Sequence, residues 1–200
     1  NGTSDCVAGV VCGTSEFCLS LKDVNNGAGM LLGSTIDSLR GASILKNMRT
    51  LHIRIKQHSE NAMFLAKNFE KDGLRIVYPG LPSHPGHLIM EDQMNPEYGY
   101  GGLITMDVGT LENANALMEL MQERKLGYLA VSLGFYKTLF SAPGSSTSSE
   151  IPLEEQKEMG LGNGLIRFSI GLDDDIKRTY SLMKQCLLDL KILNIIGVNS

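Results

Sequence analysis

The sequence predicts a small α+β layer, a mostly antiparallel sheet with helices packed on one face. Three observations carry this expectation. Leu51, Ile55, His58, Ala62, Leu65 and Phe69 recur at alternating spacings of four and three, which lines one face of a long helix. Ile166, Phe168 and Ile170 alternate with Leu165, Arg167 and Ser169, the period of a half-buried strand. The elements from the long helix onward run helix, strand, strand, helix, strand, strand, helix, an order that suits one sheet covered by helices.

The elements follow in chain order. Cys6 to Cys12 (CVAGVVC) is a short apolar run of small and β-branched residues, which predicts a strand buried on both faces of a parallel sheet. A helix is expected from Ser15 to Asp23, then a loosely patterned stretch through Asn25, Asn26 and Gly27. The long helix ends at Gly73, placed as a C′ glycine. A strand at Leu74 to Tyr78, a Pro/Gly/His loop (YPGLPSHPGH) and a short helix near Leu88 to Met94 come next. A strand at Leu103 to Val108 leads to a helix at Leu111 to Lys125, with Thr110 as N-cap. A strand then ends at Ser132, and a Ser/Thr-rich loop runs from Ser141 to Glu150. Pro152 suits a first helical turn, so Leu153 to Met159 reads as a brief helix closed by Gly160. After the strand Leu165 to Ile170, the last helix is expected from Asp173 to Leu193. Its three leading aspartates lie at the positive end of the dipole, and its buried stripe is Ile176, Tyr180, Met183, Leu187 and Leu190.

Composition narrows the function classes. A chain of 200 residues with 42% hydrophobic and 20% charged residues suits a globular protein with a real core. A net charge of -4 and the lack of any basic run give no reason to expect nucleic-acid or anionic-membrane binding. No segment approaches the ~20 apolar residues of a membrane span. The start, Asn1 onward, lacks the charged and apolar regions of a signal peptide and reads as a truncation. Cys6, Cys12, Cys18 and Cys186 lack the paired short spacing of a zinc site. Reduced, mostly buried thiols in a cytoplasmic protein are therefore expected, ahead of disulfides.

Several residues could carry chemistry. Arg167 falls on the strand face away from the helices, where a guanidinium is wet, paired or turned towards an anion. A local ion pair and a carboxylate fork both satisfy that, and the pattern leaves both open. His58, on the apolar stripe, is expected to be a satisfied core or boundary histidine, and His52 to be exposed. His84 and His87 are three apart but have no carboxylate or cysteine nearby in sequence, so a structural loop is expected. The Ser145 to Ser149 cluster lacks the framing of a phosphate cradle, and Ser132 lacks the G-x-S-x-G context of a hydrolase nucleophile.

Longer segments carry a resemblance. LKNMRTLHIRIKQHSENA (Leu45 to Ala62) resembles the domain-linking helix, close to LRGLKTLHLRMxxHxxNA, of the pyridoxal-phosphate (PLP) enzymes of cysteine and methionine metabolism. YPGLPSHPGH, YGYGGLITMDV, LAVSLG (Leu129 to Gly134) and GLIRFSIGLDD (Gly164 to Asp174) are similar to further segments of that family, in family order. GTSDCVAG looks like the GHSDVVAG that follows the cofactor lysine, and GSSTSSE resembles a plant-like branch of the γ-lyases. The chain departs from the pattern at Thr3 and Ser148, each in place of a histidine, and at Ser34 and Asn47, in place of a proline and a glycine.

The resemblance implies an α/β type I PLP fold. Residues 1–44 would be the end of the large cofactor domain, 45–72 the linking helix, and 73–200 a complete α+β C-terminal small domain. It implies that the cofactor lysine lies before Asn1, so that this chain alone has no catalytic residue and is inactive. Arg167 would bind the substrate α-carboxylate. Ser132, flanked by Val131 and Leu133, would line the cleft, and Thr147 would stand at the threonine of the family's A-S-M-T-H loop. The implied activity is carbon–sulfur lysis with pyridoxal 5'-phosphate. An apolar Val131 favours methionine, cleaved to a thiol, ammonia and a 2-oxo acid, in a cytoplasmic homotetramer. A cystathionine lyase or synthase, a homoserine sulfhydrylase, and a non-catalytic truncated module stay open as alternatives.

Overall fold

In the computed structural model the described residues are 2–145, 150–152, 154–155 and 162–193. The chain divides into two compact units, Asn1–Thr50 and Leu51–Ser200. The first holds three short helices: α1 (Ser15–Ser20), α2 (Ala28–Leu31) and α3 (Ser38–Met48). Thr14 caps α1 by accepting from the Phe17 amide, and Asp37 caps α3 by accepting from Leu39 and Arg40. The Asp37 carboxylate also pairs with the Arg40 side chain, and Ser43 Oγ donates to Asp5 at 3.1 Å.

The expected strand at Cys6 to Cys12 does not form. That stretch is irregular, with Val7 94% and Val10 87% exposed. A strand buried on both faces needs ladder partners at its edges and layers above and below. Among the described residues, every strand belongs to the second unit. Hydrophobic composition alone therefore overstated the order of this run.

The second unit opens with α4 (Leu51–Lys71). The segment 45–72 expected as the linking helix comprises the end of α3 and the whole of α4, joined by a turn in which the Thr50 amide donates to the Asn47 carbonyl. The apolar stripe of α4 is buried only from His58 onward, through Ala62, Leu65, Ala66 and Phe69, while Leu51 and Ile55 remain exposed. Gly73, at φ +89°, ends the helix in the left-handed conformation that glycine adopts without strain. The remaining elements are β1 (Arg75–Val77), α5 (His87–Gln93), β2 (Leu103–Asp107), α6 (Leu111–Glu123), β3 (Tyr128–Leu129), β4 (Leu139–Ser141), β5 (Leu165–Ser169) and α7 (Ile176–Asp189). Thr110 caps α6 as expected, accepting from the Asn113 amide.

The strands form one sheet in the order β1-β2-β5-β4-β3, antiparallel throughout except for the parallel β3–β4 pair. Register decides what each face carries. Ile76, Met106 and Ile166 are opposite one another, as are Ile104, Phe168 and Phe140. These side chains are buried and join Leu65 and Phe69 of α4, Leu117 and Met121 of α6, and Met183 and Leu187 of α7 in a single core. The helices that build this core therefore cover one face of a mostly antiparallel sheet. The turn into β5 is tight: a Cβ on Gly164 would lie 2.4 Å from the Gly109 nitrogen, so only glycine fits.

Two strand expectations change. The strand expected to end at Ser132 stops at Leu129, and β4 lies where a loop was expected to begin, so Ser141 is a strand residue. The Leu139–Ser141 strand is only three residues long, too short for alternation to reveal it. The last helix starts at Ile176, capped by Asp175, and its expected stripe faces the core. The helix expected at Leu153 to Met159 lies largely outside the described residues.

Phe168 is fully buried at the centre of β5, whereas Leu39 on α3 is 83% exposed. Phe168→Ala is expected to destabilise the protein by about 3–5 kcal/mol in urea unfolding, and Leu39→Ala by less than about 0.5 kcal/mol.

Candidate functional site

The face of β5 turned away from the helices carries Leu165, Arg167 and Ser169. Arg167 lies in register between Thr105 of β2 and Ser141 of β4, and Ser169 lies between Leu103 and Leu139. Across this face runs the 131–134 loop. Arg167 Nη2 donates to the Val131 carbonyl at 3.1 Å, and the Gly134 amide donates to Ser169 Oγ at 2.9 Å. Gly134 has φ +68°, a conformation that suits glycine. Further along, the Leu172 amide donates to the Tyr136 carbonyl at 2.8 Å, and the Gly171 amide to Thr138 Oγ at 3.0 Å. The chain from Val131 to Thr138 is thus laid along β5 and its continuation.

Arg167 is partly exposed and has no carboxylate partner among the described residues. Among the described residues, the local ion pair that the sequence allowed is not formed. Its guanidinium has five N–H donors, of which one engages Val131, so a planar anion can be taken up by the others. Val131 and Leu133, 58% and 52% exposed, flank Ser132, whose side chain is also exposed. The loop therefore offers an apolar surface on either side of a hydroxyl, next to the guanidinium of Arg167. Thr147 lies outside the described residues.

Of the expected site residues, the structure brings Val131, Ser132 and Leu133 into one loop bonded to Arg167. Sequence reasoning missed Ser169 as the acceptor that holds this loop, although its position two residues from Arg167 put both on one face. It also missed Ser141, whose buried Oγ has no hydrogen-bond partner among the described residues.

The histidines behave as expected from the sequence. His87 Nδ1 lies 2.7 Å from the Pro79 carbonyl, and His84 Nδ1 accepts from the Gly86 amide at 3.0 Å, so both brace the loop. No group of three or more metal-ligating side chains occurs among the described residues. His58 is buried, its Nδ1 2.6 Å from the Ile170 carbonyl at the end of the strand that carries Arg167. Burial pushes its pKa below the ordinary 6.5, assisted by Arg54 and opposed by the bond to Ile170. Asn61 adds bonds to the Gly171 and Asp173 carbonyls, both at 3.0 Å.

Comparison with known proteins decides the family. The family described as Cys/Met metabolism PLP-dependent enzyme matches residues 1–180. The chain belongs to this family. It is 35% identical to the methionine γ-lyase of Arabidopsis thaliana over 189 residues, covering 94% of the chain and 43% of that protein. It is 36% identical to the cystathionine γ-lyase of Dictyostelium discoideum over 178 residues, covering 87% of the chain and 43% of the relative. The chain thus spans less than half the length of these relatives.

The fold agrees. Yeast cystathionine γ-lyase superimposes with a TM-score of 0.74 at 26% identity, covering 81% of this chain and 41% of that one. A Campylobacter jejuni protein described as an O-acetylhomoserine (thiol)-lyase, which carries a pyridoxyl-lysine phosphate, gives a TM-score of 0.71 at 29% identity, covering 78% and 37%. The expected type I PLP fold is thereby met by part of that fold. The guanidinium of Arg167 has the donor geometry to take up a planar anion. None of its donors is assigned to the cofactor's own ring or phosphate.

The His58 environment sets a pH dependence. Its folded pKa is lowered, so the unfolded chain binds more protons once the pH falls below about 6.5. The stability contributed by neutral His58 is whole above that pH and is lost progressively below it. Urea midpoints measured from pH 8 to pH 5 should fall more steeply for the native sequence than for His58→Gln.

Proposed function

We propose that this chain is the substrate-orienting part of a PLP-dependent carbon–sulfur lyase acting on methionine, a methionine γ-lyase. In the intact enzyme methionine and water give methanethiol, ammonia and 2-oxobutanoate. The observation that carries the proposal is the Arg167 fork, exposed beside the 131–134 loop with no carboxylate partner among the described residues.

Pyridoxal phosphate, when bound, supplies the electron sink for charge that develops at the substrate α-carbon. The contribution of this chain is geometric. Two parallel N–H···O bonds from Arg167 would fix the plane of the α-carboxylate. With the carboxylate held by Arg167 and the amino group engaged elsewhere in the intact site, rotation about the α-carbon would be restricted. That selects which bond stands aligned for cleavage and converts random encounters into one productive orientation. Ser132 would lie within the same cleft. Val131 and Leu133 would supply the apolar wall against which a thioether, lacking charge, loses no hydrogen bond.

The preference for methionine rests on that wall. The relatives include both methionine and cystathionine enzymes at about the same identity, 35% and 36%. Cystathionine carries a second amino-acid head at its far end, which a wall of valine and leucine has no means to pair.

The experiment uses the full-length protein. Arg167→Lys is expected to lower kcat/KM for methionine by about 10- to 100-fold, since a charged hydrogen bond contributes about 1.5–3 kcal/mol, while the cofactor absorbance is unchanged. Near-normal kinetics in that variant contradict the role. Methanethiol should be released from methionine without an added acceptor nucleophile, and its release only in the presence of one would assign the enzyme to replacement. Val131→Glu should lower the methionine-to-cystathionine ratio of kcat/KM by about tenfold or more.

A further inference from the structure

Two bonds reach the 131–134 loop from one face of β5, and only one of them involves Arg167. The other is the Gly134 amide donating to Ser169 Oγ at 2.9 Å. Ser169 is itself buried, 4% exposed, and stands two residues from Arg167, about 7 Å along the strand on the same face. Val131 and Gly134, the two loop residues held, bracket Ser132 and Leu133. Those two side chains therefore take their places from a clamp with one point at each end.

The two points differ in chemistry. Arg167 Nη2 holds the Val131 carbonyl with a charged group that, on the reading above, also turns to the substrate carboxylate. Engaging a carboxylate withdraws positive charge from the bond to Val131 and can pull the guanidinium off it. The Ser169 bond is neutral, partly buried and independent of substrate. Gly134 adopts φ +68°, so its amide direction is set by a turn that other residues strain to adopt. Losing the acceptor would leave this amide without its partner at a partly buried site unless the loop moves to water. The loop moving is the cheaper response, because Val131, Ser132 and Leu133 are already exposed.

We infer that Ser169 is a positioning residue for substrate selection, pinning the 131–134 loop so that its apolar wall and hydroxyl keep their places while Arg167 engages the carboxylate. The inference rests on the carboxylate role of Arg167 and adds to it a fixed point that does not touch substrate.

The test uses the full-length holoenzyme with Ser169→Ala and Ser169→Cys, which remove the oxygen acceptor, and Ser169→Thr, which keeps it. The cysteine variant is nearly isosteric and guards against simple loss of folding. Hydrogen exchange of the Gly134 amide, followed by mass spectrometry on a peptide spanning 131–137, reports the pin directly. Exchange should accelerate about tenfold in the alanine and cysteine variants and stay near native in the threonine variant. KM for methionine should rise about tenfold with kcat within about threefold, and threonine should restore it. Unchanged exchange overturns the inference, and so does faster exchange with unchanged KM. Failure of the carboxylate role is read separately: Arg167→Lys would then show normal kinetics, while the exchange effect of Ser169→Cys would persist.

Discussion

Strand β5 pairs on both sides, with β2 and with β4, and this double pairing is the constraint from which the site follows. The strand has two dissimilar faces. Ile166 and Phe168 are fully buried against the helices, while Arg167 and Ser169 lie on the opposite side. A slip of one residue would exchange the faces and drive a guanidinium into an apolar core, at a cost no local bond could offset. The hydrophobic side of β5 therefore fixes the polar side. Core packing at Phe168 and Ile166 holds Arg167 where an anion can reach it.

The same strand organises its surroundings. His58 and Asn61 on α4 bond the carbonyls of Ile170, Gly171 and Asp173, which ties the long helix to the end of β5. From the other direction, the 131–138 segment is drawn onto β5 by Arg167, Ser169, Gly171 and Leu172. Family membership supplies the cofactor, and this unit supplies the sheet face that carries Arg167, with Val131, Ser132 and Leu133 on the loop laid along it. A strand bearing a guanidinium, flanked by a loop with exposed valine and leucine, offers an anion a charged partner beside an apolar surface.

Much of this was legible in the sequence, for identifiable reasons. The 3.6-residue period of α4 and α7 and the two-residue period of β5 survive in any sequence that must bury one side, so those elements were found, with the buried face of α4 right only from His58 onward. Arg167 stood out because a charge interrupts an apolar alternation. The strand expected at Cys6 to Cys12 failed because a fully buried strand and an exposed apolar run have the same composition, and only neighbouring strands distinguish them. β4 escaped notice because three residues carry no period. The Ser169–Gly134 bond was invisible for another reason: it joins residues 35 positions apart, and a serine that accepts from a distant amide looks like any other serine.

The central claim is that the guanidinium of Arg167 recognises the carboxylate of the substrate. A double-mutant cycle tests it most directly, comparing binding of methionine and of its decarboxylated amine, 3-methylthiopropylamine, to the full-length protein with and without Arg167→Ala. The account predicts that deleting the carboxylate weakens binding about 10- to 100-fold in the native protein and by less than about threefold in the variant. Equal losses in the two proteins would mean that the carboxylate is held elsewhere, and would contradict the account.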